Sequence, residues 1–195
     1  MWWPDEGLLA VSDLHLGRAG RIARLGGPLL PPYEAQETLT RLDADITATA
    51  PRTVLCLGDS FDDMAAADED QATLDRLVRM MAGRRWIWIA GNHDPGPIAL
   101  GGEHHHDLRL GGLAFRHIAE PQGRGEVSGH YHPKARIAGQ SRRCFLYDER
   151  RLILPAYGAY TGGLASSDAA LAALFGARAV AVLTGPVARP LPMPR

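Results

Sequence analysis

Lysine is almost missing from this chain. Lys134 is the only one among 21 basic residues, so binding of any anion falls to arginine, whose planar fork donates two hydrogen bonds at once. Net charge is nearly missing too. At −1 over 195 residues it excludes a global basic field and confines any polyanion contact to a local patch. Cysteine is scarce: Cys56 lies in an apolar run and Cys144 follows an arginine pair. Two isolated thiols make no disulfide framework, which points to a reducing compartment, the cytoplasm. No apolar run approaches the length of a membrane span. Met1 to Glu6 lacks the basic start and apolar stretch of a signal peptide. Hydrophobic residues make up 46% of the chain, which excludes global disorder, and the length fits one domain over residues 1–195.

What is present is a repeated arrangement. Leu8 to Val11 runs into Ser12-Asp13-Leu14-His15, and Val54 to Leu57 into Gly58-Asp59-Ser60-Phe61-Asp62-Asp63. Ile89 runs into Ala90-Gly91-Asn92-His93-Asp94, and Val127-Ser128 into Gly129-His130-Tyr131-His132. Short continuous apolar runs of this kind are strands covered on both faces. Each delivers Asp, Asn or His to one end, as a core strand does when its end faces something polar. Asp13 and His15, two apart, point the same way if the chain stays extended.

The rest of the chain reads as an α/β protein. Gly17 to Pro32 is a glycine- and proline-rich loop carrying Arg18, Arg21 and Arg24 at spacing three. These could form one helical turn with a basic face toward the strand ends, or a solvated face; they are candidate substrate contacts. Helices are expected over Tyr33 to Ala50, on Leu39, Leu42 and Ile46, and over Asp68 to Gly83. In the second, Asp68 is the cap and Leu74, Leu77, Val78 and Met81 the apolar stripe. His104-His105-His106 follows two glycines in an expected surface turn, where three adjacent imidazoles cannot face one point. Leu108 to Leu110 and Leu113 to Arg116 form a hairpin across Gly111-Gly112, and its second arm ends on His117. A further hairpin joins Arg142 to Tyr147 and Arg151 to Leu154. Pro155 to Gly163 is a glycine–aromatic loop that covers the strand ends or simply turns. Ser167 caps a helix over Asp168 to Phe175, Ala179 to Leu183 is a last strand, and the proline-rich tail frays.

The polar strand ends collect Asp13, His15, Asp59, Asn92, His117, His130 and His132: four imidazoles and three oxygen donors. So much nitrogen argues against a calcium or lone magnesium site, and the lack of cysteine against finger-type zinc. The number suits two cations roughly 3.5–4 Å apart, with Asp59 able to bridge them and water between them deprotonated near neutral pH. Two divalent ions, two carboxylates and a hydroxide leave about one net positive charge, which suits a phosphate ester anion.

In order, Asp-x-His, Gly-Asp, Gly-Asn-His-Asp, a lone His and Gly-His-x-His resemble the calcineurin-like metallophosphoesterases over about residues 8 to 133. The resemblance implies a four-layer α/β/β/α sandwich with two mixed β-sheets and two metals between them. By matching motif, Asp13, His15, Asp59 and His132 would hold one metal, and Asp59, Asn92, His117 and His130 the other. His93 would contact the phosphate and assist the leaving oxygen, with Asp94 orienting it; His93 and Asp94 are the catalytic candidates. Mn²⁺ is the expected ion, with Zn²⁺, Fe²⁺ and Ni²⁺ as alternatives.

A narrower resemblance covers most of the chain. Asp13-Leu14-His15-Leu16-Gly17, Gly58-Asp59-Ser60-Phe61, Phe115-Arg116-His117, Gly129-His130-Tyr131-His132-Pro133 and Leu154 to Gly163 are similar to the bacterial ligase-associated DNA damage response endonucleases. That implies a phosphodiester substrate, DNA, and DNA ligase and helicase partners. Three functions compete on this reading: a DNA phosphodiesterase, a small-molecule phosphatase or nucleotide phosphodiesterase, and a non-enzymatic metal-binding scaffold. The full ligand set with His93 speaks against the scaffold, and no exposed apolar flap speaks for a membrane substrate.

Overall fold

The apolar runs build a sheet whose two faces are both covered. In a computed structural model, which describes residues 1–31, 33–67, 71–96 and 99–194, the strands β1 (Trp2–Trp3), β2 (Leu8–Val11), β3 (Thr53–Leu57), β4 (Arg85–Ile89) and β5 (Glu103–His105) form the first sheet in that order. β1 is antiparallel to β2 and the remaining pairs are parallel. Because side chains alternate along a strand, Leu9, Val11, Val54, Cys56, Trp86 and Trp88 pack outward. They meet α2 (Glu34–Thr49) through Leu39, Leu42 and Ile46, and α3 (Gln71–Met81) through Leu77 and Met80. Leu8, Ala10, Leu55, Leu57, Ile87 and Ile89 face the other way and pack on Phe115, Val127 and Leu154 of a second sheet.

That second sheet is mixed. It contains β6 (Asp107–Leu110), β7 (Leu113–Arg116), β8 (Glu126–Ser128), β9 (Lys134–Ile137), β10 (Gln140–Tyr147), β11 (Arg151–Ile153), β12 (Val180–Leu183) and β13 (Arg189–Pro192). Its order is β13-β12-β10-β11-β8-β7-β6, with β9 paired to the first half of β10. β7–β8 and β8–β11 are parallel, and the other pairs antiparallel. On its outer face, Leu171 of the short helix α4 (Ala169–Ala172), with Leu174 and Phe175 beyond it, covers Cys144, Leu146, Ile153 and Ala181. The layers are therefore helix, sheet, sheet, helix, with the last one thin. Among the described residues no helix is long and apolar enough to cross a membrane.

Several local expectations change. α3 buries Thr73, Leu77 and Met80, while Val78 is 49% exposed; the stripe is rotated toward the side where α2 packs. The cap expected at Asp68, like Pro32 of the loop, lies outside the described residues. Glu103 to His105 is not in a turn but pairs with β4 as an edge strand. α4 is shorter than Asp168 to Phe175 and is capped by Asp168, whose carboxylate accepts from Ala170 N–H at 2.9 Å, not by Ser167. The proline-rich tail does not fray: Arg189–Pro192 pairs along β12 at the sheet edge, where prolines are tolerated.

Candidate metal centre

The parallel strands of both sheets end on one side, where ligands gather in folds of this kind. Asp13 and His15 follow β2, Asp59 follows β3, and Asn92 and His93 follow β4. His117 follows β7 from the second sheet, and His130 and His132 follow β8. Extended chain does not aim these side chains. Asp13, His15, Asp59, His130 and His132 sit in the left-handed region at φ of 55°, 46°, 48°, 72° and 47°. Residues with a Cβ avoid that region, so holding five there stores strain that the surrounding contacts must offset. The turns are tied down: His15 N–H donates to Asp59 O at 2.9 Å, Leu16 N–H to Ser60 O at 3.0 Å, and Gly129 N–H to His117 O at 3.0 Å. Gly91 permits a close approach, since a Cβ there would collide with the Asp59 backbone nitrogen and carboxylate.

Donor atoms converge in three groups: Asp13, His15 and His132; His15, Asp59 and His93; and Asp59, His117 and His130. His15 Nε2 lies 3.3 Å from His132 Nε2, and His132 Nε2 lies 3.2 Å from Asp13 Oδ1. His117 Nε2 is 3.3 Å from Asp59 Oδ2, 3.2 Å from His130 Nδ1 and 3.0 Å from Asn92 Oδ1. The other ring nitrogens are occupied. His15 Nδ1–H donates to Asp62 Oδ1 at 2.7 Å, and His117 Nδ1–H to Leu57 O at 2.8 Å. With those protons fixed, neutral His15 and His117 present bare Nε2 lone pairs toward other acceptors. Bare nitrogens and carboxylate oxygens facing one another need a cation between them, so this donor set fits metal ions, and Asp59 belongs to two of the groups.

The ionisation of the metal-free chain carries the same tension. Burial pushes the Asp59 carboxyl up, but the hydrogen bond and charge of His117, the His93 N–H and the charge of His15 outweigh it and hold it at about 2. Burial pushes His117 down, and Asp59 and Asp13 raise it to about 8. Burial and the His117 charge together lower His130.

Asp94 lies beneath the centre. Its carboxylate accepts from the backbone N–H of Asp59 at 2.9 Å, Ser60 at 2.7 Å, Phe61 at 3.2 Å and Gly91 at 3.1 Å. Burial raises its carboxyl to about 6 despite those donors. The His93 ring is held by another group, the Asp62 carbonyl, which accepts from Nδ1–H at 2.7 Å. Arg18, Arg21 and Arg24 lie on α1 (Arg18–Arg24). Arg18 and Arg21 donate to Asp62 at 2.8 Å and 3.3 Å, and Arg24 to Asp63 at 2.8 Å. Asp62 is fully buried, and although burial raises its carboxyl, His15, Arg18 and His93 bring it below the usual range.

Arg143 is the residue that sequence reasoning passes over. From β10 it donates to Ala156 O, Tyr157 O, Gly158 O and Thr161 Oγ1 at 3.2, 3.3, 2.6 and 3.0 Å. The loop so held donates back, Tyr157 N–H to Ser12 O at 2.8 Å and Gly158 N–H to Asp13 O at 3.0 Å. Only a glycine fits at 158, because a Cβ would meet the Leu14 carbonyl. Pro155 to Gly163 thus backs the Asp13–His15 turn rather than covering the site. The one sequence signal is its density of glycine.

The model of the calcineurin-like phosphoesterase family matches residues 8–162. Among solved structures the chain is similar to the nuclease MPE of Pseudomonas putida, described as a crystal structure. The two are 29% identical, the match covers 97% of this chain and 90% of that one, and the TM-score is 0.75. No curated protein matches.

Proposed function

Since the chain belongs to the calcineurin-like phosphoesterase family, and is thus a metal-dependent hydrolase of phosphoester bonds, we propose that it cleaves phosphodiesters in nucleic acid, DNA foremost, as one domain with two divalent cations. The observation that carries this is that Asp59 stands between two donor groups: it gathers with His117 and His130, beside Asn92, on one side and with His15 on the other, and His15 in turn gathers with Asp13 and His132. The bound cations supply a nucleophile from water at neutral pH and neutralise charge on the phosphoryl oxygens. Mn²⁺ is the ion proposed, with Zn²⁺, Fe²⁺ and Ni²⁺ as alternatives. Nucleic acid as substrate is supported by likeness over nearly the whole chain to a protein described as a nuclease. Arg18, Arg21 and Arg24 form a cationic edge on α1, beside the Asp13 and His15 turn, that can track a phosphate backbone. A role with DNA ligase and helicase in repair follows from the family resemblance. Two buried free cysteines suit a cytoplasmic setting.

His93 has its Nδ1–H fixed on the Asp62 carbonyl, which leaves Nε2 as the nitrogen available to the reacting phosphate. Carrying a proton there, it protonates the leaving oxygen. Removing it in His93→Ala should cost roughly 10²–10⁴-fold in turnover with metal retained, and less with a nitrophenol leaving group, which needs no acid. Equal losses on good and poor leaving groups would limit His93 to positioning the phosphate. The test of the whole reading is a panel of monoesters, nitrophenyl diesters, cyclic nucleotides and DNA forms after chelation and metal return. Diesters should exceed monoesters, DNA should be cut, and Mn²⁺ should restore most activity. Intact DNA beside rapid cleavage of a nucleotide or cyclic diester would transfer the function to small molecules. Activity indifferent to chelator would end the metal reading.

A further inference from the structure

Beside the centre, on the side of Asn92 and His117, the surface opens into a cavity of about 450 Å³. It shares those two residues with the centre and is walled by Pro95, Ile118 and Pro121, with Arg116 in its lining. The size is that of a small-molecule subsite. The wall after β7 is held in place before anything binds. Arg151, buried and ion-paired to Glu126 at 3.0 Å, donates to Pro121 O at 3.2 Å and Gly123 O at 3.1 Å. Glu126 in turn accepts from Glu120 N–H at 3.3 Å.

The charge around Arg116 decides what can enter. Its Nη1 is paired with Glu120, and its Nε lies 3.7 Å from Asp107 and 3.8 Å from Glu126, too far for a hydrogen bond. That Nε is buried and has no hydrogen-bond acceptor among the described residues. One cation among three carboxylates makes the cavity a poor place for a second phosphate. The cationic edge of α1 lies on the other half of the centre, beside His15. What suits this cavity is an uncharged, flat group with N–H donors on its rim. Ile118, 45% exposed, and the two prolines offer apolar surface to its faces, and Asp107 and Glu120 offer acceptors to its edge.

We propose that this cavity receives the nucleobase flanking the scissile phosphate, its ring against Pro95, Ile118 and Pro121 and its amino edge toward Asp107 and Glu120. The inference rests on the reading of the substrate as a nucleic-acid diester. It is tested on metal-loaded protein with oligonucleotides that carry a single abasic position, moved one step at a time across a mapped cleavage site. In the wild type, one position next to the cut should lose roughly 5- to 100-fold in cleavage, the scale of one stacked base. Ile118→Ala and Glu120→Ala should each slow cleavage of the intact strand and lose the penalty at that same position, because base and wall are then no longer coupled. Metal content, measured on each variant, separates loss of the cavity from loss of the centre. A wild type indifferent to every abasic position overturns the inference without any variant, and so does an unchanged penalty in both variants. If no DNA form is cut while nitrophenyl diesters are, the nucleic-acid reading fails first and the cavity assignment goes with it.

Discussion

The two halves of the centre are oriented by different means. His15 rests on the Asp62 carboxylate, which is itself held by Arg18 and Arg21 on a surface helix. His117 rests on the Leu57 carbonyl, at the end of a strand buried between two layers. Both arrangements fix Nδ1 and present Nε2. A carboxylate, however, also raises the basicity of the ring it holds, and it responds to the charges around it. A main-chain carbonyl in a sheet responds to little short of unfolding. One half can therefore be tuned from the surface and the other cannot.

The largest expected effect removes the comparison altogether. Asp59 serves both halves, so Asp59→Asn should lower the content of both metals and cost more activity than the roughly 100-fold that bounds removal of an outer partner. Elemental analysis that still finds two ions per chain would show that Asp59 does not link them. Asp62→Asn sharpens the comparison. Affinity should fall roughly 10–100-fold for the ion on the His15 side and stay put for the other. A two-step metal titration reads this, and equal weakening of both steps would erase the distinction.

Replacing Arg18, Arg21 and Arg24 together with Ala should act more mildly. The slope of log DNA affinity against log salt should become shallower by roughly 0.7–0.9 for each phosphate no longer neutralised, uniformly across sequences. A small nitrophenyl diester should be cleaved nearly as before, apart from any weakening that Asp62 transmits to His15. Equal impairment on both substrates would make α1 a support of the centre and not a track for DNA.

The smallest effect belongs to the His117 side. In the metal-free chain His117 is held at about 8, above its usual 6.5, by Asp59 and Asp13 against burial. A raised value means that the charged His117–Asp59 pair stabilises the metal-free fold fully below about 6.5, and that this stabilisation disappears as pH rises through about 8. Cation binding needs the neutral ring. Affinity on that side should therefore climb about tenfold per pH unit up to that point and then level off. Calorimetry in two buffers of different protonation heat should detect one proton released per cation at pH 7, and no buffer dependence would contradict it.

The sequence reveals most where a segment is covered on both faces. Leu8–Val11, Thr53–Leu57 and Arg85–Ile89 are legible because burial on two sides leaves no room for polar residues until the strand ends. That same break marks Asp13, Asp59 and Asn92. Two of the edge strands are not legible. Glu103–His105 and Arg189–Pro192 have no strand pattern of their own and exist because β4 and β12 offer a free ladder. Val78 shows another limit: periodicity finds the stripe on α3 but not its rotation, which α2 decides. Within the site, residue types are readable and backbone is not. Asp13 and His15 face the centre from left-handed turns, not from extended chain, because ties to Gly58 and Asp59 bend them there. Arg143 has no local signature, since the carbonyls it binds belong to a loop that follows by 13 residues or more.

The five left-handed residues around the centre bear on how this enzyme would change under artificial selection. An L side chain in that conformation is disfavoured by roughly 1–2 kcal/mol, and glycine carries no such penalty. Screening a library of metal-stripped protein for heat resistance alone should thus enrich glycine at His130 and His132, whereas the buried side chains of Asp13, His15 and Asp59 make hydrogen bonds that offset the penalty. Every such winner would be a sturdier protein with fewer ligands. Hardening this enzyme without disarming it requires that thermal survival and metal retention be scored in the same round.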